Sequence, residues 1–169
     1  LKALTDFPDQ RAWLLEDLDA RLPLAIEEII RWATPIMTFR RTAARDTELG
    51  GHHVTEGDKV IMFYSSANMD TEVFDHPERL DLSRSPNKHV AFGGGGIHHC
   101  LGAQLARRQL AATFRELLTR LPDIHAVGEP ELGNGNFFHT VMSMTARFTP
   151  EAQTPEAQTP EAQTPESQR

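Results

Sequence analysis

Cysteine is nearly absent from this sequence, since Cys100 is the only one among 169 residues. A single cysteine cannot form a disulfide within the chain, so the cysteine content gives no sign of an oxidising compartment. Any special chemistry at this thiol must then involve a metal, a cofactor or a substrate. We therefore expect a cytoplasmic protein.

Long apolar runs and an excess of positive charge are also lacking. No stretch approaches the ~20 apolar residues that cross a bilayer, and the opening LKALTDFPDQ has no apolar signal-peptide segment. The net charge of -7 gives no general attraction to nucleic-acid phosphates. We therefore expect no membrane span and no nucleic-acid partner. A hydrophobic content of 39% is enough for the core of one domain.

Large side chains are missing from the end of the sequence. Residues 149–169 repeat TPEAQ three times and TPESQ once before Arg169, with nothing aliphatic larger than alanine. Proline at every fifth position prevents a continuous helix, and no apolar burial offsets the entropy lost on ordering. We predict a disordered tail over residues 149–169 and a folded portion over residues 1–148.

The folded portion is predicted to be mainly α with small antiparallel β hairpins. Its predicted helices cover residues 8–20, 23–34 and 103–121, its strands cover 37–43 and 59–64, and a last hairpin surrounds Asn136–Met144. In the second helix, the 3.6-residue period places the isoleucines on one face and Glu28 and Arg31 on the other. This helix is therefore predicted to be amphipathic.

The most informative stretch runs from Phe92 to Gly102 with the sequence FGGGGIHHCLG, just before the third predicted helix. A dinucleotide fingerprint is excluded because histidines stand where glycine is needed, and a Walker loop is excluded because no Gly-Lys-Ser/Thr follows. Three interpretations stay open. A zinc site would use the histidine pair and Cys100 together with His52 and His53. The glycines could instead form a flexible linker before a buried cysteine, or the loop could bind haem through its thiolate.

The haem interpretation has a physical basis in the position of Cys100. Glycines allow the backbone to pass close beneath a flat porphyrin, and a helix start supplies free N–H groups and a positive dipole end that stabilise a thiolate. Those amides would come from Leu101, Gly102 and Ala103. Thiolate ligation to haem iron favours cleavage of the O–O bond of dioxygen.

This stretch resembles the signature of the cytochrome P450 family, a phenylalanine and a glycine-rich turn followed by Gly-x-His/Arg-x-Cys-x-Gly. Phe92 lies eight residues before the cysteine, which gives the form with an extra glycine that is familiar among actinobacterial lipid-oxidising members. The resemblance implies haem b bound by the thiolate, with a histidine on one propionate. The haem-binding residues it implies are Arg40, Phe92, Gly93, Gly96, His98, Cys100, Leu101 and Gly102.

Two further segments resemble the family and follow in the family's order. Glu28 and Arg31 match its Glu-x-x-Arg motif, and HPERL resembles its Pro-x-Arg-Phe segment, which implies a Glu28–Arg31–Arg79 network that holds the loop beneath the haem. Arg40 falls where family members place a propionate-binding arginine, with an edge-strand surface charge as the alternative. Arg41 should then point to the opposite side of the strand.

The resemblance also implies an apolar substrate chamber. The residues implied to line it are Ile36, Met37, Thr38, Phe39, Phe138 and Val141. Ordinary core packing explains these residues equally well. An apolar chamber would suit a hydrophobic substrate such as a lipid or a sterol.

A complete family member would be a haem-thiolate monooxygenase that inserts one oxygen atom from O2 into its substrate. The resemblance implies electrons from a ferredoxin and an NAD(P)H-dependent ferredoxin reductase, with docking near Lys88, Arg107 and Arg108. The family's oxygen-activating helix should precede the first residues here, and nothing before Glu28 resembles it. We therefore expect this chain to be the C-terminal, haem-ligating part, inactive alone. The alternatives are a non-catalytic or peroxide-dependent haem-binding relative and a helical interaction module.

Overall fold

The computed structural model describes residues 1–150. Its helices are α1 (Lys2–Asp6), α2 (Pro8–Glu16), α3 (Leu18–Ala33), α4 (Tyr64–Ala67) and α5 (Ala103–Arg120). Its strands are β1 (Thr38–Thr42), β2 (Thr47–Leu49), β3 (His52–Val54), β4 (Lys59–Phe63), β5 (His125–Ala126), β6 (Glu131–Leu132), β7 (Val141–Ser143) and β8 (Ala146–Arg147). Helices take up about a third of the chain, and the strands form antiparallel pairs. Helices and small antiparallel pairs are thus both present, as expected.

The predicted tail lies outside the described residues from position 151 onward. Thr149, at its predicted start, is bonded to Asp123, which accepts both the backbone N–H and the hydroxyl of the threonine. Among residues 1–150, no helix has the length and apolar content needed to cross a bilayer.

The first helical region breaks earlier than the sequence pattern predicts. Asp17 leaves helical geometry at φ -152°, and its carboxylate accepts the Ala20 N–H at 3.1 Å, so α3 begins at Leu18. The prediction of one helix from Pro8 to about Ala20 is therefore wrong, and Pro23 lies inside α3. Asp17 is the stronger start signal because its side chain satisfies an N–H that the first turn leaves unpaired.

The core forms where α3 packs against α5. Its buried residues are Leu4, Leu14, Leu22, Ala25, Ile26, Ile30, Leu80, Leu82, Ala91, Phe114, Leu118 and Ile124. Burial on α3 extends to Glu28 and Arg31, both at 0% exposure, which the helical period had placed on a solvent-facing side. Periodicity identifies this helix correctly but does not reveal the charged cluster buried against it.

The two predicted strand segments are neighbours in one antiparallel pair. β1 runs beside β4 with Arg40 opposite Ile61 and Arg41 opposite Val60, and the β2–β3 hairpin lies between them in sequence. The hairpin predicted around Asn136–Met144 begins earlier in the chain. There β7 pairs with β6, and a separate bridge joins Ile36 to Phe138.

Asn68 connects the end of α3 to the segment that enters the glycine loop. It is fully buried; its amide group donates to the Thr34 hydroxyl at 2.9 Å, and its side-chain oxygen accepts the Val90 N–H at 2.8 Å. Its carbonyl also accepts a hydrogen bond from Arg31 at 2.8 Å. The C-terminus of α3, the glycine loop and the start of α5 are therefore held at one place in the fold.

Candidate functional site

A cleft of about 520 Å³ opens between the end of α3, β1, the glycine loop and the start of α5. Its walls are formed by Ile30, Pro35, Ile36, Phe39, Arg41, Tyr64, Ala91, Phe92, Gly93, His98, His99, Cys100, Leu101, Ala106 and Leu110. Cys100 contributes the wall's one sulfur and is exposed. Leu101 is wholly exposed, so a strongly apolar side chain faces the opening beside the thiol.

The glycine loop has a backbone conformation that other residues rarely adopt. Gly93, Gly95 and Gly96 have φ values of 90°, 97° and 77°, in the left-handed region. The loop closes through a hydrogen bond from the Cys100 N–H to the Phe92 carbonyl at 2.9 Å. The glycine run is therefore a specific turn that returns the chain to Phe92, which argues against a flexible linker. The cysteine is exposed rather than buried, which also disagrees with the linker interpretation.

Cys100 lies just before α5, which begins at Ala103 with Gly102 as its N-cap. A methyl group added at Gly102 would sit 3.9 Å from the Cys100 sulfur, so the sulfur lies beside the helix start. The Ala103 N–H donates to the Cys100 carbonyl at 3.2 Å. The Ala103 amide was one of three expected to face the thiolate, together with those of Leu101 and Gly102. In the structure it bonds the Cys100 backbone instead of the sulfur.

Arg41, not Arg40, lines the cleft. Successive side chains of a strand point to opposite faces, so Arg41 shares a face with Phe39, and its guanidinium carbon lies 4.7 Å from the Phe39 ring centre. Arg41 is therefore the candidate for the cofactor's cationic partner in this geometry, while the assignment of Arg40 stays a prediction made from the sequence. Spacing from Arg31 does not fix the phase of the strand, and this is why the sequence did not distinguish the two arginines. His98 lines the same cleft, as expected.

Glu28 and Arg31 form a bidentate ion pair with both contacts at 2.8 Å. A second guanidinium reaches Glu28 from Arg84, whose Nε donates at 3.1 Å, and the side-chain amide of Asn87 adds a bond at 2.9 Å. Arg79, predicted to complete this network, contributes its carbonyl oxygen, which accepts from Arg31 at 3.3 Å. The guanidinium role is therefore corrected from Arg79 to Arg84. Two arginines lie in the same segment, and sequence order alone does not tell which one turns inward.

The predicted chamber residues separate into two groups. Ile36 and Phe39 line the cleft, whereas Met37, Thr38, Phe138 and Val141 are not among its walls. Thr38 donates its hydroxyl to the Asn136 carbonyl at 2.8 Å, and Phe138 bridges to Ile36 through the backbone. Val141 lines a different groove beside α1. Phe137, which packs against the Phe39 ring at 5.6 Å, brings the terminal segment close to the cleft.

A second polar cluster lies behind the glycine loop. Arg107 binds Glu27 with both of its contacts, at 2.6 and 2.8 Å, and His89 Nε2 lies 3.0 Å from the same carboxylate. The guanidinium carbon of Arg107 lies 4.7 Å from the ring centre of Phe92. Arg107, expected near a docking surface for an electron donor, is therefore paired within the fold. The sequence showed Glu27 as an ordinary polar-face residue and carried no signal for His89.

The pairings in this cluster shift the ionisation of its members. The hydrogen bond from Arg107 is the main cause that lowers the pKa of Glu27, and the bond to Glu27 raises the pKa of Arg107. Burial lowers the pKa of His89, and the neighbouring Glu27 opposes that shift only in part. Nδ1 of His89 accepts the Ala91 N–H at 3.3 Å, so the ring proton sits on Nε2 and points to Glu27. The cluster is thus an ion pair with a neutral imidazole.

The residues of the cleft fit a flat cofactor that carries carboxylates. The cleft combines apolar side chains, one thiol on the wall, and three basic side chains, Arg41, His98 and His99. Among residues 1–150, no three His, Cys, Asp or Glu side chains come together to hold a metal ion. The zinc hypothesis therefore has no ligand set, whereas a metal held in a macrocycle needs only one protein ligand of this kind.

Comparisons with known proteins agree with this geometry. A family model described as Cytochrome P450 matches residues 20–122. A solved structure of Mycobacterium marinum cytochrome P450 CYP268A2 in complex with pseudoionone superposes with a TM-score of 0.85 and is 64% identical. The match covers 88% of this chain and 36% of the other. The chain therefore belongs to the cytochrome P450 family, and its architecture is part of that fold. The family implies a haem cofactor held by a thiolate.

Curated relatives with a named activity have a lower sequence identity to this chain. A methyl-branched lipid omega-hydroxylase of Mycobacterium tuberculosis is 45% identical over 142 residues, which is 84% of this chain and 33% of the relative. A steroid C26-monooxygenase of Rhodococcus jostii is 46% identical over 130 residues, 77% of this chain and 27% of the relative. The chain thus spans about a third of the length of the relatives that it matches.

Proposed function

We propose that this chain is the thiolate-bearing part of a haem monooxygenase that inserts one oxygen atom from O2 into a hydrophobic substrate of lipid or sterol type. The observation that carries the proposal is the position of Cys100, whose thiol stands on the wall of an apolar cleft beside the start of α5. The cofactor would be haem b with Cys100 as its ligand. When bound, haem iron supplies activation of dioxygen, and a thiolate ligand favours O–O cleavage.

The residues of the chain would divide the work of holding the cofactor. Cys100 would bind the iron, while Arg41 and His98 would donate hydrogen bonds to the two propionates. Gly93 and Gly96 have left-handed backbone geometry and no side chain, which would let the loop backbone pass close to the cofactor. Phe92 lines the cleft beside Gly93, where its ring would shield the ligand side of the cofactor from water.

The substrate class is supported by the walls of the cleft and by the relatives. Ile36 and Phe39 give its outer part an apolar surface. The names of the relatives specify a methyl-branched lipid and a steroid, and the matching solved structure holds pseudoionone. A ferredoxin and an NAD(P)H-dependent ferredoxin reductase would supply the electrons. With one cysteine and no sign of an oxidising compartment, the location we propose is the cytoplasm.

The ligand is tested by carbon monoxide difference spectra of the chain reconstituted with haem and reduced. A thiolate ligand gives a strongly red-shifted Soret band, which Cys100→Ala should abolish. His53→Ala, a change in an exposed strand away from the cleft, is the matched control and should leave the band unchanged. A red-shifted band that persists in Cys100→Ala would overturn the proposal.

Activity is tested in a chimera, because two thirds of a relative's length lie outside the match. The corresponding segment of the M. marinum enzyme is replaced by this chain, and hydroxylation of a hydrophobic substrate is followed with ferredoxin, reductase and NAD(P)H. We expect product from the chimera. We expect none from the chain alone, because it matches only about a third of a relative's length. Product with peroxide but none with the redox partners would point instead to a peroxide-dependent relative. A stable low-spin complex of the chain alone with substrate-responsive shifts would contradict its expected inactivity.

A further inference from the structure

Phe92 is connected to Cys100 more directly than its place in the sequence suggests. Its carbonyl oxygen accepts the Cys100 N–H at 2.9 Å, so a displacement of Phe92 displaces the backbone that carries the thiol. The same residue also lines the cleft with its ring. Anything that fixes Phe92 therefore also fixes the direction in which the sulfur is presented.

The Phe92 ring is held from behind by the polar cluster of Glu27, His89 and Arg107. Arg107 lies over the ring at 4.7 Å, a distance suited to a cation–π contact, and the His89 ring centre lies 6.0 Å from that of Phe92. The long side chain of Arg107 would, without a second contact, have several conformations that leave the Phe92 ring. Its bidentate contact with Glu27 removes that freedom, because two parallel bonds define the plane of the guanidinium.

His89 adds a second restraint on the same carboxylate. Its side chain is 4% exposed, Nε2 donates to Glu27, and Nδ1 accepts the Ala91 N–H one residue before Phe92. The imidazole thus joins α3 to the backbone that enters the loop. Glu27 receives bonds from α5 and from this segment together, so α3, α5 and the loop are cross-linked at one side chain.

We propose that Glu27 is a positioning residue for the Cys100 thiolate, acting through Arg107 and Phe92 rather than by contact with the cofactor. The proposal rests on the proposed function only for the identity of the group that the thiolate binds. Its chemical logic is that a single axial ligand without a chelating partner must be oriented by the protein around it. Glu27 provides that orientation from outside the cleft.

The test that needs no cofactor is amide hydrogen exchange of Cys100, measured by NMR in the full 169-residue chain. Glu27→Gln keeps the shape of the side chain but weakens the charge-assisted contacts. We expect Cys100 amide exchange to accelerate about tenfold, the size expected from losing one such contact. The Phe114 amide in the middle of α5 is the internal reference, since global destabilisation would accelerate both sites equally.

A matched control and a second variant keep the result decisive. Glu16→Gln makes the same substitution in a different glutamate–arginine ion pair, with Arg21 at 2.7 Å, and should leave the Cys100 amide unchanged. Arg107→Lys retains a positive charge near Glu27 but loses the planar group over Phe92, and it decides the matter if Glu27→Gln fails to fold. Equal acceleration at Cys100 and Phe114 in both variants, or no acceleration in either, overturns the positioning role.

The haem-loaded chain gives an independent readout. In Glu27→Gln we expect a smaller share of the carbon monoxide complex to show the red-shifted Soret band, since the thiolate is presented less uniformly. Wild-type chain that lacks the red-shifted band altogether would defeat the proposed function, while the amide exchange result would still judge Glu27. A red-shifted band in wild type with an unchanged share in Glu27→Gln would leave the function standing and defeat the positioning role.

Discussion

Glu28 and Arg31 bind each other through two hydrogen bonds of 2.8 Å while both side chains are fully buried. Both residues have further hydrogen-bond partners that offset the cost of burying their charges. Glu28 also accepts bonds from Arg84 and Asn87 and from the Asp81 N–H at 3.0 Å, and Arg31 donates to the carbonyls of Asn68 and Pro77. A buried ion pair is tolerable only when its remaining donors and acceptors are satisfied. Here they connect α3 with the segment from 68 to 87 that leads into the glycine loop.

The two nearby arginines are expected to differ in their contribution to stability. Arg84→Ala removes a guanidinium from the buried Glu28 carboxylate and should lower the free energy of unfolding by about 1.5–3 kcal/mol. Arg79→Ala should change it by less than about 0.5 kcal/mol, because Arg79 joins the network through its carbonyl oxygen. Urea denaturation of the two variants measures the difference. A larger loss for Arg79→Ala would restore the assignment made from sequence.

Cofactor affinity is expected to depend on Arg41 and not on its neighbour. Arg41→Ala removes the arginine of the cleft wall, and haem should bind about tenfold more weakly because one charge-assisted contact is lost. Arg40→Ala changes the net charge equally on the other face of β1 and should leave the affinity within about twofold. Titration of each variant with haem, followed at the Soret band, gives both dissociation constants. Equal weakening in the two variants would mean that only net charge matters.

We expect the glycine loop to tolerate alanine at position 94 but not at position 93. Gly93 has φ 90°, so Gly93→Ala should destabilise the chain by about 1–3 kcal/mol through backbone strain. Gly94 has no positive φ and open space around it, so Gly94→Ala should stay within about 0.5 kcal/mol of wild type. Thermal unfolding of the two alanine variants provides the comparison. Similar losses in both would show that the loop is sensitive to side chains in general.

The acid side of the stability profile is expected to carry a contribution from His89. Its pKa is lowered in the folded chain by burial, so the unfolded chain binds more protons as the pH falls below the ordinary histidine value of about 6.5. This contribution is complete above that value and is lost as the pH falls through the lowered pKa. His89→Gln should therefore flatten the acid limb of a plot of unfolding free energy against pH. His125→Gln, at an exposed strand residue, is the control and should leave the slope unchanged. An acid limb of equal slope in wild type and His89→Gln would exclude this role.

Local signals in the sequence predicted the elements more reliably than they predicted the inward-facing side chains. The helix after the glycine run was placed at residues 103–121 and is observed as Ala103–Arg120, because its apolar period is uninterrupted. The strands around Arg40 and Ile61 were also predicted, but which face of each turns inward was not, since β1 carries an arginine on either face and β4 carries apolar residues on both faces. A one-residue error in phase moves every side chain to the other face.

Charged residues were the other source of error. Glu27 and Glu28 are adjacent on one helix, and helical periodicity alone gives both the character of solvated surface groups, although the Glu-x-x-Arg motif predicted the pairing of Glu28 with Arg31. In the structure each accepts bonds from different partners, Arg107 and His89 for Glu27, and Arg31 and Arg84 for Glu28. Those partners come from segments 50 or more residues away in three of these four contacts. The three long-range pairings depend on tertiary packing, and no local pattern encodes them.

Leu101 and Ile97 are almost wholly exposed, at 102% and 96%. Bare aliphatic groups beside the Cys100 thiol favour self-association and recognition by chaperones and proteases. A porphyrin seated in the cleft would shield Leu101 at once. The haem-loaded chain should therefore self-associate less than the haem-free chain.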